Sequence, residues 1–197
     1  MPIESECYRM SPRLNIEVRW VPVESNSGTA YRFPVHVTER MRAIYDKPAV
    51  YRWLVTSPNA ELKGVYFGET ESLACRVAQY ISPGKSQQTN IRLKSYFDER
   101  LKEKCTIAVE MLEFDPFSIK DIEIDAKSMR HSFVRKFLES FAFMEFQCTS
   151  ANKECDLLNR SQDASQKVQN KKVREIGKIL KAMPAQEGEE ILKRLRS

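Results

Sequence analysis

Apolar and polar residues alternate in two stretches near the start of the chain. Residues 13–23 read R-L-N-I-E-V-R-W-V-P-V and residues 31–37 read Y-R-F-P-V-H-V, with the turn-rich S-N-S-G between them. A period of two is typical of strands that bury one face. The pattern predicts a β-hairpin, or a pair of strands, that precedes the core of the protein.

Three further apolar runs predict the strands of the core. V-Y-R-W-L-V (50–55) and G-V-Y-F-G (64–68) are joined by T-S-P-N-A-E-L-K, whose Pro-Asn centre predicts a hairpin loop. C-T-I-A-V-E-M-L-E-F (105–114) has the length and composition of another strand, and Asp115-Pro116 follows it.

Apolar residues at spacings of three and four predict three helices, over residues 71–81, 91–104 and 125–146. The core-facing arc of the third helix is predicted to consist of Phe133, Val134, Phe137, Leu138 and Phe141. The order β-β-α-α-β-α predicts an α+β fold, a small antiparallel sheet flanked by helices.

A second helical pattern follows the core. Four apolar residues beyond position 160 recur at spacings of three and four: Val173, Ile176, Leu180 and Met183. They predict a basic amphipathic helix that ends at Pro184. We therefore expect an N-terminal β extension (1–45), a core domain (46–160) and a basic helical tail (161–197).

Composition limits the class of protein. The 197 residues suffice for one complete hydrophobic core. An apolar fraction of 42% and a charged fraction of 30% are typical of a soluble protein, and no apolar run approaches the roughly 20 residues that span a bilayer. The first residues, M-P-I-E-S-E-C, do not resemble a secretory signal. We expect a cytoplasmic protein with no membrane contact.

Cysteine and histidine usage narrows the chemistry. The five cysteines are widely spaced and match neither a disulfide framework nor the paired C-x-x-C ligands of a zinc site, so we expect reduced thiols. The two histidines, His36 and His131, provide little material for a His-rich metal centre or a Ser-His-Asp triad.

The net charge of +5 is concentrated at the end of the chain. Residues 165–197 contain nine Lys or Arg and four acids, which leaves 23 of each in the remaining residues. A basic tail on a neutral body suits a polyanion such as DNA, whose phosphates Lys and Arg neutralise without sequence preference. The alternative is a solvated helix that keeps the protein soluble.

Polar residues occur in a fixed order through the core domain. A-V-Y ends at Tyr51, Y-F-G-E-T begins at Tyr66, and S-L-A-C-R-V-A-Q-Y contains Arg76. F-L-E-S-F contains Glu139, and L-L-N-R contains Asn159. Together these motifs resemble those of the GIY-YIG endonucleases, over residues 48–160. The resemblance implies an enzyme that hydrolyses phosphodiester bonds in DNA with Mg²⁺ or Mn²⁺ and no small-molecule cofactor.

The resemblance implies catalytic roles for both strand tyrosines. One phenol, most directly that of Tyr51, would help to activate the attacking water, while Tyr66 would position water or phosphate. A free phenol with a pKa of about 10 is a poor base at neutral pH, so a nearby cation would have to assist. The alternative is that both are ordinary strand aromatics packed on the sheet.

The helix after the second strand would supply a cation to the same site. By resemblance, Arg76 would hold the scissile phosphate, and Tyr80, one helical turn later, would assist by hydrogen bonding. The alternative for Arg76 is a simple ion pair with Glu69 or Glu71. Glu69 is itself a departure, because several relatives have a lysine directly after the Y-F-G motif.

Glu139 would be the one protein ligand of the metal ion, a sparse arrangement that suits magnesium. Its alternative is a surface ion pair with Arg135. Asn159 resembles the late asparagine of the family, which binds phosphate or braces the site, and Asn152 competes for that assignment.

The leading hypothesis is therefore a metal-dependent DNA endonuclease with one active site per chain, so that a double-strand cut requires a homodimer or two successive events. A nucleic-acid-binding module that keeps the fold without the chemistry is the alternative. An interaction protein with a chance motif is a third hypothesis, which predicts no salt-dependent DNA binding.

Overall fold

The computed structural model describes residues 16–119, 122–148 and 155–159. The helices are α1 (Glu39–Tyr45), α2 (Leu73–Ile81), α3 (Gln88–Lys102) and α4 (Ser132–Cys148), with a 3-10 helix at Ala126–Arg130. The strands are β1 (Val18–Pro22), β2 (Ala49–Thr56), β3 (Leu62–Thr70), β4 (Thr106–Phe114), β5 (Phe117–Ile119), β6 (Ile122–Ile124) and β7 (Asp156–Leu157). The predicted α+β class is confirmed.

The main sheet has five strands in the order β1-β4-β2-β3-β7, and β5 and β6 form a separate pair. The predicted hairpin joins β2 to β3, and β4 lies antiparallel on the other edge of β2. The prediction of a purely antiparallel sheet is wrong, because β7 pairs parallel with β3, Gly64 opposite Asp156. So short a strand has no alternating pattern from which its direction could be predicted.

The N-terminal segments differ from the predicted pair of strands. The chain does reverse at S-N-S-G, where Ser25 N–H donates to the Thr29 carbonyl over 2.7 Å. However, β1 pairs with β4, and residues 31–37 contribute one isolated bridge, from Arg32 to Ala108. Pro34 lacks an N–H group and cannot continue a ladder, so this second segment does not extend into a strand.

Two hydrophobic clusters lie on opposite faces of the sheet, because side chains alternate along each strand. One face of β2 carries Trp53, which packs with Val77 of α2 and Phe97 of α3. On the other face, Phe67 of β3 belongs to the cluster that contains Leu138 of α4. Helices α2 and α4 therefore lie on opposite faces of the sheet.

The predicted long helix over 125–146 is divided in two. Asp125 and Ser128 form a capping box at the start of the 3-10 helix, and His131 after it is extended, so that α4 begins at Ser132. The predicted apolar arc is partly wrong, because Phe133 is 67% exposed and Phe137 is also exposed. A charged residue, Arg135, occupies the buried face in their place.

The chain divides into two compact units between Leu158 and Asn159, and all the elements above belong to the first. The predicted tail helix and Asn152 lie outside the described residues. No helix in the described part of the chain is long and apolar enough to cross a membrane.

Candidate active site

Three tyrosines, Tyr51 of β2, Tyr66 of β3 and Tyr80 of α2, form what we call the tyrosine cluster. The Tyr51 and Tyr80 hydroxyl oxygens are 2.8 Å apart and share a hydrogen bond. The ring centroids of Tyr66 lie 6.5 Å from Tyr51 and 6.3 Å from Tyr80. Residues 14, 15 and 29 positions apart along the chain thus converge beside α2, because β2, β3 and α2 share one hydrophobic cluster.

The last residue of the Y-F-G motif makes room for this cluster. Gly68 lies directly opposite Tyr51 in the antiparallel register, and a Cβ atom at position 68 would lie 2.5 Å from the Tyr51 hydroxyl oxygen. Since no real side chain approaches so closely, the Tyr51 ring can lie over the strand only where β3 has a glycine.

The two buried phenols are neutral at physiological pH. Burial raises the pKa of Tyr51 well above its ordinary value, and Tyr66 adds to this, whereas Arg76 and the hydrogen bond with Tyr80 act in the opposite direction. Burial likewise raises the pKa of Tyr80. Tyr51 therefore acts as a hydrogen-bonding group, and its ionisation would require further positive charge.

Arg76 extends from the first half of α2, one turn before Tyr80. Ser72 caps this helix, its hydroxyl accepting from the Cys75 N–H over 3.2 Å. The Arg76 Nε atom is buried and has no hydrogen-bond partner in the described part of the chain. A buried donor without a partner is costly unless a ligand or water accepts from it.

Glu139 lies on α4 and is partly buried. Burial raises the pKa of Glu139 to about 7, with a further contribution from the negative charge of Glu69, and Lys136 and Arg76 partly offset it. The charge of Glu139 in turn contributes to raising the pKa of Tyr51. Glu139 therefore lies close enough to Arg76 and Tyr51 for their charges to interact.

Arg135, which the sequence analysis treated as a surface partner of Glu139, is instead almost fully buried. Only 2% of its side chain is exposed, and its Nε donates to the Glu69 carboxylate over 2.7 Å. Its terminal nitrogens reach Glu71 over 3.5 Å and the Met129 and Arg130 carbonyls over 2.9 and 3.0 Å. We call Arg135, Glu69 and Glu71 the ionic cluster.

The ionic cluster bears on two ion pairs that the sequence analysis left open, one for Arg76 and one for Glu139. Glu69 and Glu71 pair with Arg135, so they are not engaged by Arg76 as the simple ion pair required. Arg135 pairs with these two carboxylates and not with Glu139. The glutamate after the Y-F-G motif thus joins β3 to α4, a role that the sequence analysis missed.

A cleft of about 380 Å³ lies between the two helix N-termini. Its lining comprises Glu69, Thr70, Glu71, Ser72, Cys75, Arg76, Gln79, Ser132, Arg135 and Lys136. The α2 and α4 residues each follow a spacing of three and one, so each set lies on one helical face. This repeated polar spacing is the signal in the sequence that could have identified the cleft and Lys136.

Five of the six residues singled out by the sequence lie together: the tyrosine cluster, Arg76 and Glu139. Asn159 is the first residue of the second unit, and Asn152 lies outside the described residues. Among residues 16–119, 122–148 and 155–159, no three His, Cys, Asp or Glu side chains form a group that could hold a metal ion. Glu139 with water and phosphate oxygens is a different arrangement, and its carboxylate oxygens suit a hard cation.

In comparisons with known proteins, no family model, no curated protein and no solved structure matches this chain.

Proposed function

We propose that the chain is a metal-dependent endonuclease that hydrolyses phosphodiester bonds in DNA through one active site. The observation that carries the proposal is the convergence of a buried, unpartnered Arg76 Nε with the Glu139 carboxylate and the hydrogen-bonded Tyr51 and Tyr80 hydroxyls. An unused guanidinium donor beside a carboxylate and neutral phenols suits an anionic substrate that must be held and attacked by water.

Glu139 is the residue that would hold Mg²⁺ or Mn²⁺. Its carboxylate is a hard oxygen donor, and burial beside Glu69 raises its pKa to about 7, so positive charge nearby would favour its ionised form. When bound, the metal ion would polarise the phosphodiester and lower the pKa of water. The other steps fall to side chains of this chain.

Arg76 would hold the scissile phosphate, because its Nε already lies in a buried position without an acceptor. A guanidinium in that position also offsets the charge that develops as the phosphodiester is attacked. Tyr51 would orient the attacking water through its hydroxyl, and Tyr80 would fix the direction of that hydroxyl through the 2.8 Å hydrogen bond. Tyr66, which is partly exposed, would contact water or phosphate at the edge of the site.

The basic segment 165–197 supports DNA as the polyanion, since it carries the whole net charge. One site cuts one strand, so a double-strand break would require a homodimer or two successive events.

Cleavage of supercoiled plasmid by the full-length chain with Mg²⁺ or Mn²⁺ tests the proposal. Nicking should disappear with EDTA and fall by roughly 10³-fold in Glu139→Gln, because a metal ion supplies several kcal/mol of charge stabilisation. Glu99→Gln, at an exposed position on α3, is the matched control and should cleave normally. Intact plasmid with salt-sensitive binding would instead favour the binding module without chemistry.

A further inference from the structure

Of the residues with a role in the proposed reaction, Arg76 alone lines the cleft between α2 and α4, and the other lining residues have no role in that reaction. Lys136 lines it from the α4 side and forms no ion pair with any residue that the structure describes. Ser132 and Gln79 add a hydroxyl and an amide from opposite helices. With the Arg76 Nε, the cleft therefore has hydrogen-bond donors from both helices.

The two acids in the cleft do not cancel these donors. Glu69 and Glu71 both pair with Arg135, so Arg76 and Lys136 are the lining cations that no ion pair with these two acids occupies, although both lower the pKa of the nearby Glu139. A ligand that spans both helices must accept hydrogen bonds on each side and carry negative charge.

The cleft also lacks an aromatic surface on which a base could stack. None of its lining residues is aromatic, whereas stacking on aromatic rings is the usual way in which proteins hold bases of single strands. Phosphate and sugar contacts position a nucleic acid without carrying sequence information. The chemistry of the cleft fits the backbone of a strand.

We propose that this cleft binds the sugar–phosphate backbone of the DNA strand, with Lys136 contacting the phosphate next to the one held by Arg76. The identity of the ligand rests on the proposed nuclease function. The DNA backbone then passes along the N-terminal turn of α4, where it contacts Lys136. Ser132 and Gln79 contact its sugar or phosphate oxygens. Binding in the cleft is indifferent to base sequence.

Cys75 allows the cleft to be probed directly. Its thiol is exposed and lines the cleft, whereas the exposed thiol of Cys148 lies at the other end of α4, about 24 Å along the helix from Ser132. The experiment measures thiol alkylation at each cysteine by peptide mass spectrometry. It uses the full-length Glu139→Gln chain, so that the DNA stays intact, with a short DNA duplex and with each of its single strands.

DNA at ten times its Kd should slow alkylation of Cys75 about tenfold, because only the free fraction reacts, and should leave Cys148 unchanged. A second duplex of different sequence should protect equally. Adding Lys136→Gln should reduce the protection and lower the slope of log affinity against log salt by about one. Lys102→Gln, at an exposed position in the last turn of α3, should do neither.

DNA that binds without slowing Cys75 alkylation would overturn the inference, as would equal behaviour of Lys136→Gln and Lys102→Gln, or no DNA binding at all. The outcome is separable from that of the plasmid experiment. Protection of Cys75 together with an uncut plasmid would support the cleft and refute the nuclease. Cleavage without protection would refute the cleft and support the nuclease.

Discussion

The tyrosine cluster and the ionic cluster border the same site, yet they are held in place by different forces. Tyr80 packs edge-on against Trp53, with ring centroids 5.4 Å apart, so the phenols are oriented by close packing within a hydrophobic core. Arg135 is instead held by two carboxylates and two carbonyls. Packing of neutral rings is insensitive to pH and salt, whereas the charged side depends on every partner being present.

The largest change in the free energy of unfolding is expected when Arg135, the centre of the ionic cluster, is replaced. Arg135→Met should lower the free energy of unfolding by about 3–5 kcal/mol, because Glu69 is left partly buried without a counter-charge. Denaturant unfolding provides the measurement. Arg19→Met is the matched control, since the Arg19–Glu113 pair has the same chemistry but the arginine is 64% exposed, and its loss should cost less than about 1 kcal/mol. Equal losses of unfolding free energy in the two variants would show that the buried ion pair contributes no more to stability than the exposed one.

Glu139→Gln should instead raise the free energy of unfolding near neutral pH and above. The pKa of Glu139 is raised from 4.5 to about 7 in the folded chain, chiefly by burial. Below pH 4.5 the carboxyl is protonated in both states and contributes nothing; as pH rises toward 7, only the unfolded chain loses the proton, so stability falls. At pH 8 the variant should be more stable than the natural chain by about 1–3 kcal/mol.

That gain should shrink toward zero below pH 4.5. Unfolding curves at both pH values provide the test. A variant less stable than the natural chain at pH 8 would contradict the prediction.

Gly68→Ala tests the packing of the tyrosine cluster against β3. The new methyl group would lie 2.5 Å from the Tyr51 hydroxyl oxygen, so Tyr51 or β3 must move, at a cost of about 2 kcal/mol. Gly84→Ala is the control, because its methyl group would meet nothing nearer than 3.8 Å. If both variants unfold at the same denaturant concentration, the ring does not depend on the glycine.

The smallest effect is expected within the tyrosine cluster. Tyr80→Phe removes one partner of the 2.8 Å hydroxyl hydrogen bond and should cost about 1 kcal/mol, and Tyr51→Phe should cost a similar amount. The double variant should lose less than the sum of the two, because each single variant already breaks the hydrogen bond between these two hydroxyls. Strict additivity in this double-mutant cycle would show that the two hydroxyls are not coupled.

Local pattern was sufficient for the elements that frame the site. Alternation predicted β2, β3 and β4, helical spacing predicted α2 and α3, and the order of polar motifs identified the five side chains that lie together. These features depend on neighbours along the chain, whose spacing reflects which face of an element is buried.

The sequence by itself determined the α+β class, the core elements and the residue types available for chemistry, since each is recorded in local periodicity and spacing. Tertiary structure alone decided that β7 runs parallel to β3, that Phe133 is exposed while Arg135 is buried, and that a cleft opens between α2 and α4. The reason is physical. Whether a guanidinium can be buried depends on acceptors that lie elsewhere in the chain, here the Glu69 carboxylate 66 positions earlier, and no local pattern encodes that partner.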